Sequence, residues 1–399
     1  MGLISDIRPG SLDIAELHEQ TQAATGLTDL GGAAFAEEDF HKRLALLIQS
    51  LEQEAALSPL GRWRTRERLL NILRGRLRFI DDRKRWPKIA EERIVRPVVV
   101  LGMARAGSTF LHTLLSQDPA NRAPMSWEIT FPSPPPEKDT YLVDSRIDIS
   151  HATLERQGFL EEEMWRIHPF GARIPDETIF IWEYALLGPV GANWNVPSYS
   201  ASLQRLDFRP VFELEKAFLQ NLQHRCPGER WVLKSPAHLS HLAEIFETYP
   251  DAAIVVNHRD PAKVLGSLAS LFVTLRKRFS DTEVDVRAVA AQVTNMFEKP
   301  LMDMIAYRKD PEINRRFFDC LFTEMTADPM AMVRRLYEHL GIELTDAAVS
   351  AMTHWLAHDH HGKGPKRSYR LEDYGLTFDD VERGYGAYID HFNIKRERS

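Results

Sequence analysis

One segment constrains the fold of this chain more than any other: a short apolar run followed at once by glycines and then by a helical pattern. Residues 97–101 are β-branched and apolar, which is typical of a strand buried in a parallel sheet. The loop Gly102-Met103-Ala104-Arg105-Ala106-Gly107-Ser108-Thr109 comes next, and residues 109–116 have helical spacing. This order predicts a loop whose backbone amides curve around an anion at the start of a helix.

The loop differs from a Walker A sequence at one position. It keeps the glycine spacing and the terminal threonine, but Ser108 stands where the Walker A sequence has lysine. That lysine reaches the β- and γ-phosphates in ATP and GTP enzymes. Arg105 is the replacement cation, and its planar guanidinium suits a two-pronged grip on an oxyanion. An ordinary glycine turn between a strand and a helix would share this spacing.

Further strands and helices alternate along the chain. Buried strands are predicted at residues 231–233, 253–256 and 317–322. Helices are predicted at residues 212–225, 238–248, 262–277, 286–308 and 330–340. The alternation predicts an α/β fold of the P-loop type, with a parallel sheet flanked by helices. We assign residues 95–399 to this domain.

Residues 1–94 are predicted to form a helical N-terminal extension. Leucines recur at helical spacing in residues 40–54 and 60–83. The second of these helices carries many arginines: Arg62, Arg64, Arg66, Arg68, Arg74, Arg76 and Arg78. We interpret them as a solvated face that pairs with acids of the N-terminal segment. A stripe that binds nucleic acid is disfavoured, because 50 Lys and Arg against 57 Asp and Glu give a net charge of −7.

The regular pattern breaks within a predicted insertion on the substrate side of the domain, at about residues 129–210. Residues 131–136 read Phe-Pro-Ser-Pro-Pro-Pro, which excludes a helix or a central strand because proline lacks an N–H donor. Many aromatic residues follow: Trp165, Phe170, Phe180, Trp182, Tyr184, Trp194 and Tyr199. They form either the core of a helical subdomain or the lining of an apolar pocket.

Composition indicates a cytoplasmic protein. The chain has two cysteines, so no disulfide framework is expected. No apolar run reaches membrane-spanning length, and the first residues do not have the pattern of a secretory signal.

A second anion site is predicted after the strand at residues 253–256. Arg259 follows this strand, on the rim where open α/β sheets bind ligands. Asp260 and Pro261 form a helix start, with the aspartate as cap. Ser267 lies eight residues beyond Arg259 and can direct its hydroxyl to the same phosphate. Two anion sites indicate a nucleotide with two separated phosphate groups.

These motifs together resemble the sulfotransferases that use 3′-phosphoadenosine-5′-phosphosulfate (PAPS), in particular the bacterial branch. Residues 231–239, Trp-Val-Leu-Lys-Ser-Pro-Ala-His-Leu, and 369–375, Tyr-Arg-Leu-Glu-Asp-Tyr-Gly, add to the likeness, which extends from about residue 91 to the C-terminus. The resemblance implies that the 5′-phosphosulfate is bound by Arg105, Ala106, Gly107, Ser108 and Thr109. It implies that Arg259 and Ser267 bind the 3′-phosphate. Ala106 departs from the usual Ser or Thr, which removes a hydroxyl but no backbone amide.

The resemblance also implies catalytic roles. Glu128 matches the glutamate base of the carbohydrate and tyrosine branches, while His168 or His112 is the alternative base. Lys234 fits the cation that stabilises the leaving oxygen, although a lysine ion-paired at a sheet edge is the structural alternative. Arg105 completes the predicted catalytic set. A basic loop at residues 362–367 is similar to C-terminal loops that cover the nucleotide in related enzymes.

The predicted reaction transfers a sulfuryl group from PAPS to a hydroxyl of a largely apolar small molecule or lipid, releasing 3′,5′-adenosine bisphosphate (PAP). No metal and no nucleic acid are expected, and His358, His360 and His361 are interpreted as exposed polar residues. Two alternatives remain: a P-loop kinase in which Asp260 acts as a Walker-B-like carboxylate, and a catalytically decayed nucleotide-binding protein.

Overall fold

The structure is a computed structural model that describes residues 10–162, 164, 169–358 and 369–397. Across these residues, five parallel strands form one sheet in the order β2-β3-β1-β4-β5. The strands are β1 Val98–Gly102, β2 Asn121–Arg122, β3 Arg230–Lys234, β4 Ala253–His258 and β5 Phe317–Leu321. The predicted α/β fold with a parallel sheet flanked by helices is confirmed.

Helices surround the sheet and build the rest of the molecule. In chain order they are α1 Ile14–Thr25, α2 Glu37–Gln53, α3 Pro59–Arg85, α4 Ser108–Leu115, α5 Ser126–Thr130, α6 Arg146–Arg156, α7 Val190–Asn193, α8 Pro197–Ser202, α9 Arg209–Gln223, α10 Leu242–Thr248, α11 Pro261–Lys277, α12 Val286–Tyr307, α13 Pro311–Asn314, α14 Phe322–Ala327, α15 Pro329–Leu340, α16 Asp346–His358 and α17 Phe378–His391. Within the described ranges, no helix is both long and apolar enough to span a bilayer.

The order of the strands determines where a ligand can bind. β1 lies between β3 and β4, and all of its residues are buried. Val100 pairs with Lys234 on one side, and Gly102 pairs with Asn257 on the other. Because the three strands are parallel, the segments that leave their carboxyl ends meet at one edge of the sheet. This edge is where open α/β sheets form their binding crevice.

The N-terminal helices pack against the insertion. Leucines of α1, α2 and α3 form one apolar cluster with Trp194 and Tyr199. The Trp194 indole N–H also donates to the Thr65 hydroxyl at 2.9 Å. At Gly75, a Cβ atom would lie 2.6 Å from the Tyr184 ring, so the helix needs glycine for this approach. The N-terminal helices therefore pack directly against residues of the insertion and stabilise it.

The prediction of a solvated arginine face on α3 is right for some of its side chains and wrong for others. Arg66 donates to Glu16 at 2.9 Å, and Arg62 donates to Glu52 at 2.8 Å, as expected for pairing with N-terminal acids. Arg76 is 1% exposed, and its guanidinium donates to main-chain carbonyls of Leu30, Phe35 and Tyr184. Burial lowers its pKa to about 10. Arg76 is buried because α3 lies between the N-terminal segment and the insertion.

Arg76→Met should destabilise the fold strongly. The thioether cannot donate, so three buried carbonyls lose a charged partner, and we expect a loss on the order of 3 kcal/mol in the free energy of unfolding. Urea denaturation measures this loss. The control is Arg78→Met, at an exposed position of the same helix, which should change stability by less than about 0.5 kcal/mol. Equal losses in the two variants would contradict the structural role of Arg76.

Candidate active site

A cavity of about 1190 Å³ opens at the carboxyl edge of the sheet. It exceeds the roughly 300–1,000 Å³ of most ligand pockets, so it has room for two bound molecules. One end is polar and is formed by the glycine loop and Arg259. The other end is an apolar wall, to which the insertion and two long helices contribute Phe170, Phe180, Trp182, Phe208, Leu268, Leu271, Phe272, Leu275, Met296 and Phe297.

The glycine loop has the curvature that its sequence predicts. Gly102, Arg105 and Gly107 have φ angles of 132°, 75° and 93°, in the left-handed region that favours glycine. At Gly107, a Cβ atom would lie 2.8 Å from the Met325 side chain. Helix α4 begins directly afterwards at Ser108, so its first amides have no intrahelical acceptor. The loop therefore presents backbone N–H groups and a positive helix end to an anion.

The two predicted anion sites meet. The Arg105 guanidinium donates to the Ser267 hydroxyl at 3.1 Å, and Arg259 approaches the Arg105 carbonyl at 3.5 Å. Both arginines line the same cavity. Burial lowers the pKa of Arg105, and the nearby positive charge of Arg259 adds to this effect. The structure therefore brings two arginines from separate segments of the chain together at one cavity.

Arg259 is held by the C-terminal segment. Its guanidinium donates to the Glu397 carboxylate at 3.1 and 3.3 Å and lies 3.9 Å from the centre of the Phe322 ring. The Glu397 backbone N–H donates to Asp260. The Asp260 carboxylate also accepts from the Ala262 amide at 3.0 Å, which confirms its predicted role as the cap of α11.

Lys234 lies directly behind the loop. Its side chain is 1% exposed, and its ammonium donates to the Thr109 hydroxyl at 3.1 Å and to the Glu177 carboxylate. Thr109 and Glu177 both line the cavity. Sequence reasoning did not identify Glu177, although the Pro-Asp-Glu run at residues 175–177 marks a turn before the aromatic segment.

None of the described contacts joins Glu128 to another predicted site residue. Glu128 is 0% exposed and is not among the residues that line the cavity. Its carboxylate accepts from Arg122, from the Met125 amide at 3.0 Å and from the Tyr141 hydroxyl at 2.9 Å. Burial and the Glu128 charge raise the pKa of Tyr141. The role of Glu128 as a base stays a prediction, since the described contacts of its carboxylate are structural.

Of the two histidines predicted as alternative bases, only His112 lies within the described residues, and it does not line the cavity. His112 is buried in the core, its Nε2 faces the Val232 carbonyl at 3.0 Å, and burial lowers its pKa to about 3. His168 lies outside the described residues, as do His360, His361 and the basic loop at residues 362–367. His358 is exposed, as expected.

The aromatic residues of the insertion divide between the two predicted roles. Phe170, Phe180 and Trp182 line the cavity, whereas Tyr184, Trp194 and Tyr199 are buried in the core. Trp165 lies outside the described residues. The insertion therefore forms one wall of the cavity, and its buried aromatic residues join apolar clusters that are shared with the N-terminal helices and the sheet.

A buried polar network holds the Trp182 ring in the wall. The Trp182 indole N–H donates to the Glu215 carboxylate at 2.8 Å, and Tyr249 donates to the same carboxylate at 3.1 Å. His238 Nε2 lies 3.0 Å from Glu215 and 3.2 Å from the Thr178 hydroxyl. Thr178 follows Glu177 directly, so the network also fixes the segment that carries the cavity carboxylate.

Known sulfotransferases share this sequence pattern and this fold. The model of a family described as the sulfotransferase family matches residues 97–346. The crystal structure of sulfotransferase STF9 from Mycobacterium avium is 28% identical over 97% of this chain and 98% of that chain, with a TM-score of 0.85. That of STF1 from Mycobacterium tuberculosis is 29% identical over 94% and 98%, with a TM-score of 0.81. Omega-hydroxy-beta-dihydromenaquinone-9 sulfotransferase Stf3 from Mycobacterium bovis is 24% identical over 335 residues, which are 78% of this chain and 80% of the relative.

Proposed function

This chain belongs to the sulfotransferase family, and from that membership we propose that it transfers a sulfuryl group from PAPS to a hydroxyl of a largely apolar, lipid-like acceptor. The observation that carries the proposal is the contact between Arg105 and Ser267, which joins the loop to the second anion site in one cavity. A donor with phosphate groups at its 5′ and 3′ positions matches two adjoining cationic sites.

Each end of the donor has its own set of residues in this proposal. The amides of residues 105–109 and the Arg105 guanidinium bind the 5′-phosphosulfate, because a helix N-terminus and a curved loop favour an anion. Arg259 and Ser267 bind the 3′-phosphate, for which Arg259 exchanges its contact with Glu397. Charge-assisted hydrogen bonds of this kind are roughly twice as strong as neutral ones.

Lys234 supplies the cation for the leaving oxygen. Its ammonium is already in contact with Thr109 at the start of the helix, so a positive charge is fixed next to the loop before the donor binds. A charge placed in advance, in a buried position, stabilises developing negative charge without reorganisation. Arg105 adds a second cation on the cavity side.

The apolar wall supports the assignment of the acceptor. Phenylalanine, leucine and tryptophan side chains of the insertion, α11 and α12 form much of the cavity lining. Burial of the apolar surface of an acceptor against these side chains is favourable by about 25 cal/mol of free energy per Å². The relative Stf3 is named for an acceptor derived from menaquinone, a lipid. By similarity, we assign this chain an acceptor with a hydroxyl group and a long apolar body.

Competing PAP against ATP in a calorimetric titration tests the donor. PAP should bind more tightly and without Mg²⁺, because the site has a 3′-phosphate subsite and lacks the lysine that reaches the γ-phosphate. Tighter, Mg-dependent binding of ATP would restore the kinase alternative. PAP binding without transfer from PAPS to phenols, sterols or lipid alcohols would favour the decayed-site alternative. Transfer to hydrophilic sugars alone would overturn the acceptor class.

Arg259→Ala should weaken PAP binding by roughly 1.5–3 kcal/mol, because it removes a charge-assisted contact to the 3′-phosphate. Binding of 5′-AMP, which lacks that phosphate, should change little, and calorimetry with the two ligands measures the difference. Arg209→Ala is the control, since Arg209 is exposed and pairs with Asp207. An equal loss for PAP and 5′-AMP would contradict the assignment of Arg259 to the 3′ position.

Leu271→Gln should raise KM for an apolar alcohol about tenfold, because a leucine contact with the acceptor is worth roughly 1.5 kcal/mol. PAP affinity should stay unchanged, since Leu271 belongs to the apolar wall. Steady-state kinetics with a long-chain alcohol measures this effect. Leu142→Gln, at a position that is 71% exposed, is the matched control. A rise in KM for both variants would show that the wall does not hold the acceptor.

A further inference from the structure

We propose that Glu177 is the general base that accepts the proton of the acceptor hydroxyl, an inference that rests on the proposed function. Among the described residues that line the cavity, Glu177 is the only carboxylate. Its side chain is 17% exposed, so it reaches the cavity while its surroundings remain mostly protein. A general base must lie within hydrogen-bond reach of the proton that it removes. The Glu177 carboxylate meets this requirement for an acceptor that binds in the cavity, because Glu177 is part of the cavity lining.

Glu177 lies close to the site of transfer. The Lys234 ammonium contacts both the Glu177 carboxylate and the Thr109 hydroxyl, the latter at 3.1 Å. One lysine side chain therefore joins the carboxylate to the first turn of the helix behind the phosphate loop. An acceptor hydroxyl that approaches a sulfuryl group held at the loop meets Glu177 on its way.

The backbone around Glu177 is fixed on both sides. The Asp176 amide donates to the Pro124 carbonyl at 2.9 Å, and the Ser126 amide donates to the Ile174 carbonyl at 3.0 Å. On the following side, the Thr178 hydroxyl lies 3.2 Å from the buried ring of His238. A base held in this way needs little rearrangement when the acceptor arrives.

Glu128, the base predicted from sequence, and His241, a titratable residue of the cavity lining, are less suitably placed than Glu177. The Glu128 carboxylate has no exposed surface and accepts from Arg122, Met125 and Tyr141. His241 does line the cavity, but its ring centre lies 3.9 Å from that of Phe208 within the apolar wall.

The transfer exchanges one sulfur–oxygen bond for another. The acceptor oxygen forms a bond to sulfur while the bond between sulfur and the bridging oxygen breaks, and the electron pair of that bond stays on the 5′-phosphate of PAP. The hydroxyl proton moves to the Glu177 carboxylate and is released to water after product leaves. In this proposal, the positive charge of Lys234, which contacts Thr109 behind the loop, offsets the charge that develops on the departing oxygen, and Glu177 takes the proton of the attacking oxygen.

Glu177→Gln tests the proposal. The amide keeps the shape but cannot take a proton, so kcat should fall about 100-fold or more while PAP affinity changes less than about twofold. The fall in kcat toward low pH should disappear in this variant and persist in Glu177→Asp. Among the described residues, the charged and titratable groups that interact with Glu177 or with its partner Lys234 include Arg105 and His112, and all three side chains are retained in both variants.

Two further variants separate the possible explanations. Glu161→Gln changes a carboxylate of the insertion that is 61% exposed, and it should match the unaltered protein. Glu128→Gln should lower the unfolding midpoint and keep the pH dependence of kcat. Loss of that pH dependence in Glu128→Gln, or its retention in Glu177→Gln, would overturn the proposal. If the unaltered protein transfers no sulfuryl group from PAPS, the proposed function fails instead.

Discussion

The rest of the site depends on the interactions of the buried Lys234 ammonium with Glu177 and Thr109. A charge buried to this extent costs several kcal/mol unless an opposite charge and hydrogen-bond acceptors surround it. Glu177 and Thr109 provide these partners, one from the insertion and one from the helix after the glycine loop. The insertion must therefore dock on the carboxyl edge of the sheet, and docking encloses the cavity. Under the proposed function, the Lys234–Glu177 pair lies between the donor and the acceptor.

The sheet could be predicted from sequence because its strands are apolar runs without alternation. β1, β3, β4 and β5 coincide with the predicted segments to within a few residues. β2 could not be predicted, since Asn121–Arg122 is too short for any periodicity. Helix α17 was not predicted either, because Gly384 and Gly386 lower its intrinsic helix propensity and its apolar face becomes evident only against the core.

The site was predictable where it depends on local sequence and not where it depends on tertiary contacts. The glycine loop and Arg259 each stand in a recognisable strand-to-helix junction, and parallel strands bring such junctions to one edge. Ser267 follows Arg259 within the helix that begins at Pro261. Glu177 lies 57 residues from Lys234 along the chain, in a segment with no regular pattern. Glu128 follows a motif similar to that of a family base, yet its neighbours Arg122 and Tyr141 surround it in the structure. Pairings between distant, irregular segments cannot be derived from spacing.

Under the proposed function, the contact of Glu397 with Arg259 has a consequence for how donor binding responds to salt. A phosphate that replaces this carboxylate exchanges one anion for another, so the number of ion pairs at the guanidinium stays the same. Dissolved ions weaken both the Arg259–Glu397 pair that is lost and the Arg259–phosphate pair that is gained, so the two effects on donor affinity oppose each other. Under the proposed function, the effect of ionic strength on donor affinity therefore arises more from the glycine loop than from Arg259.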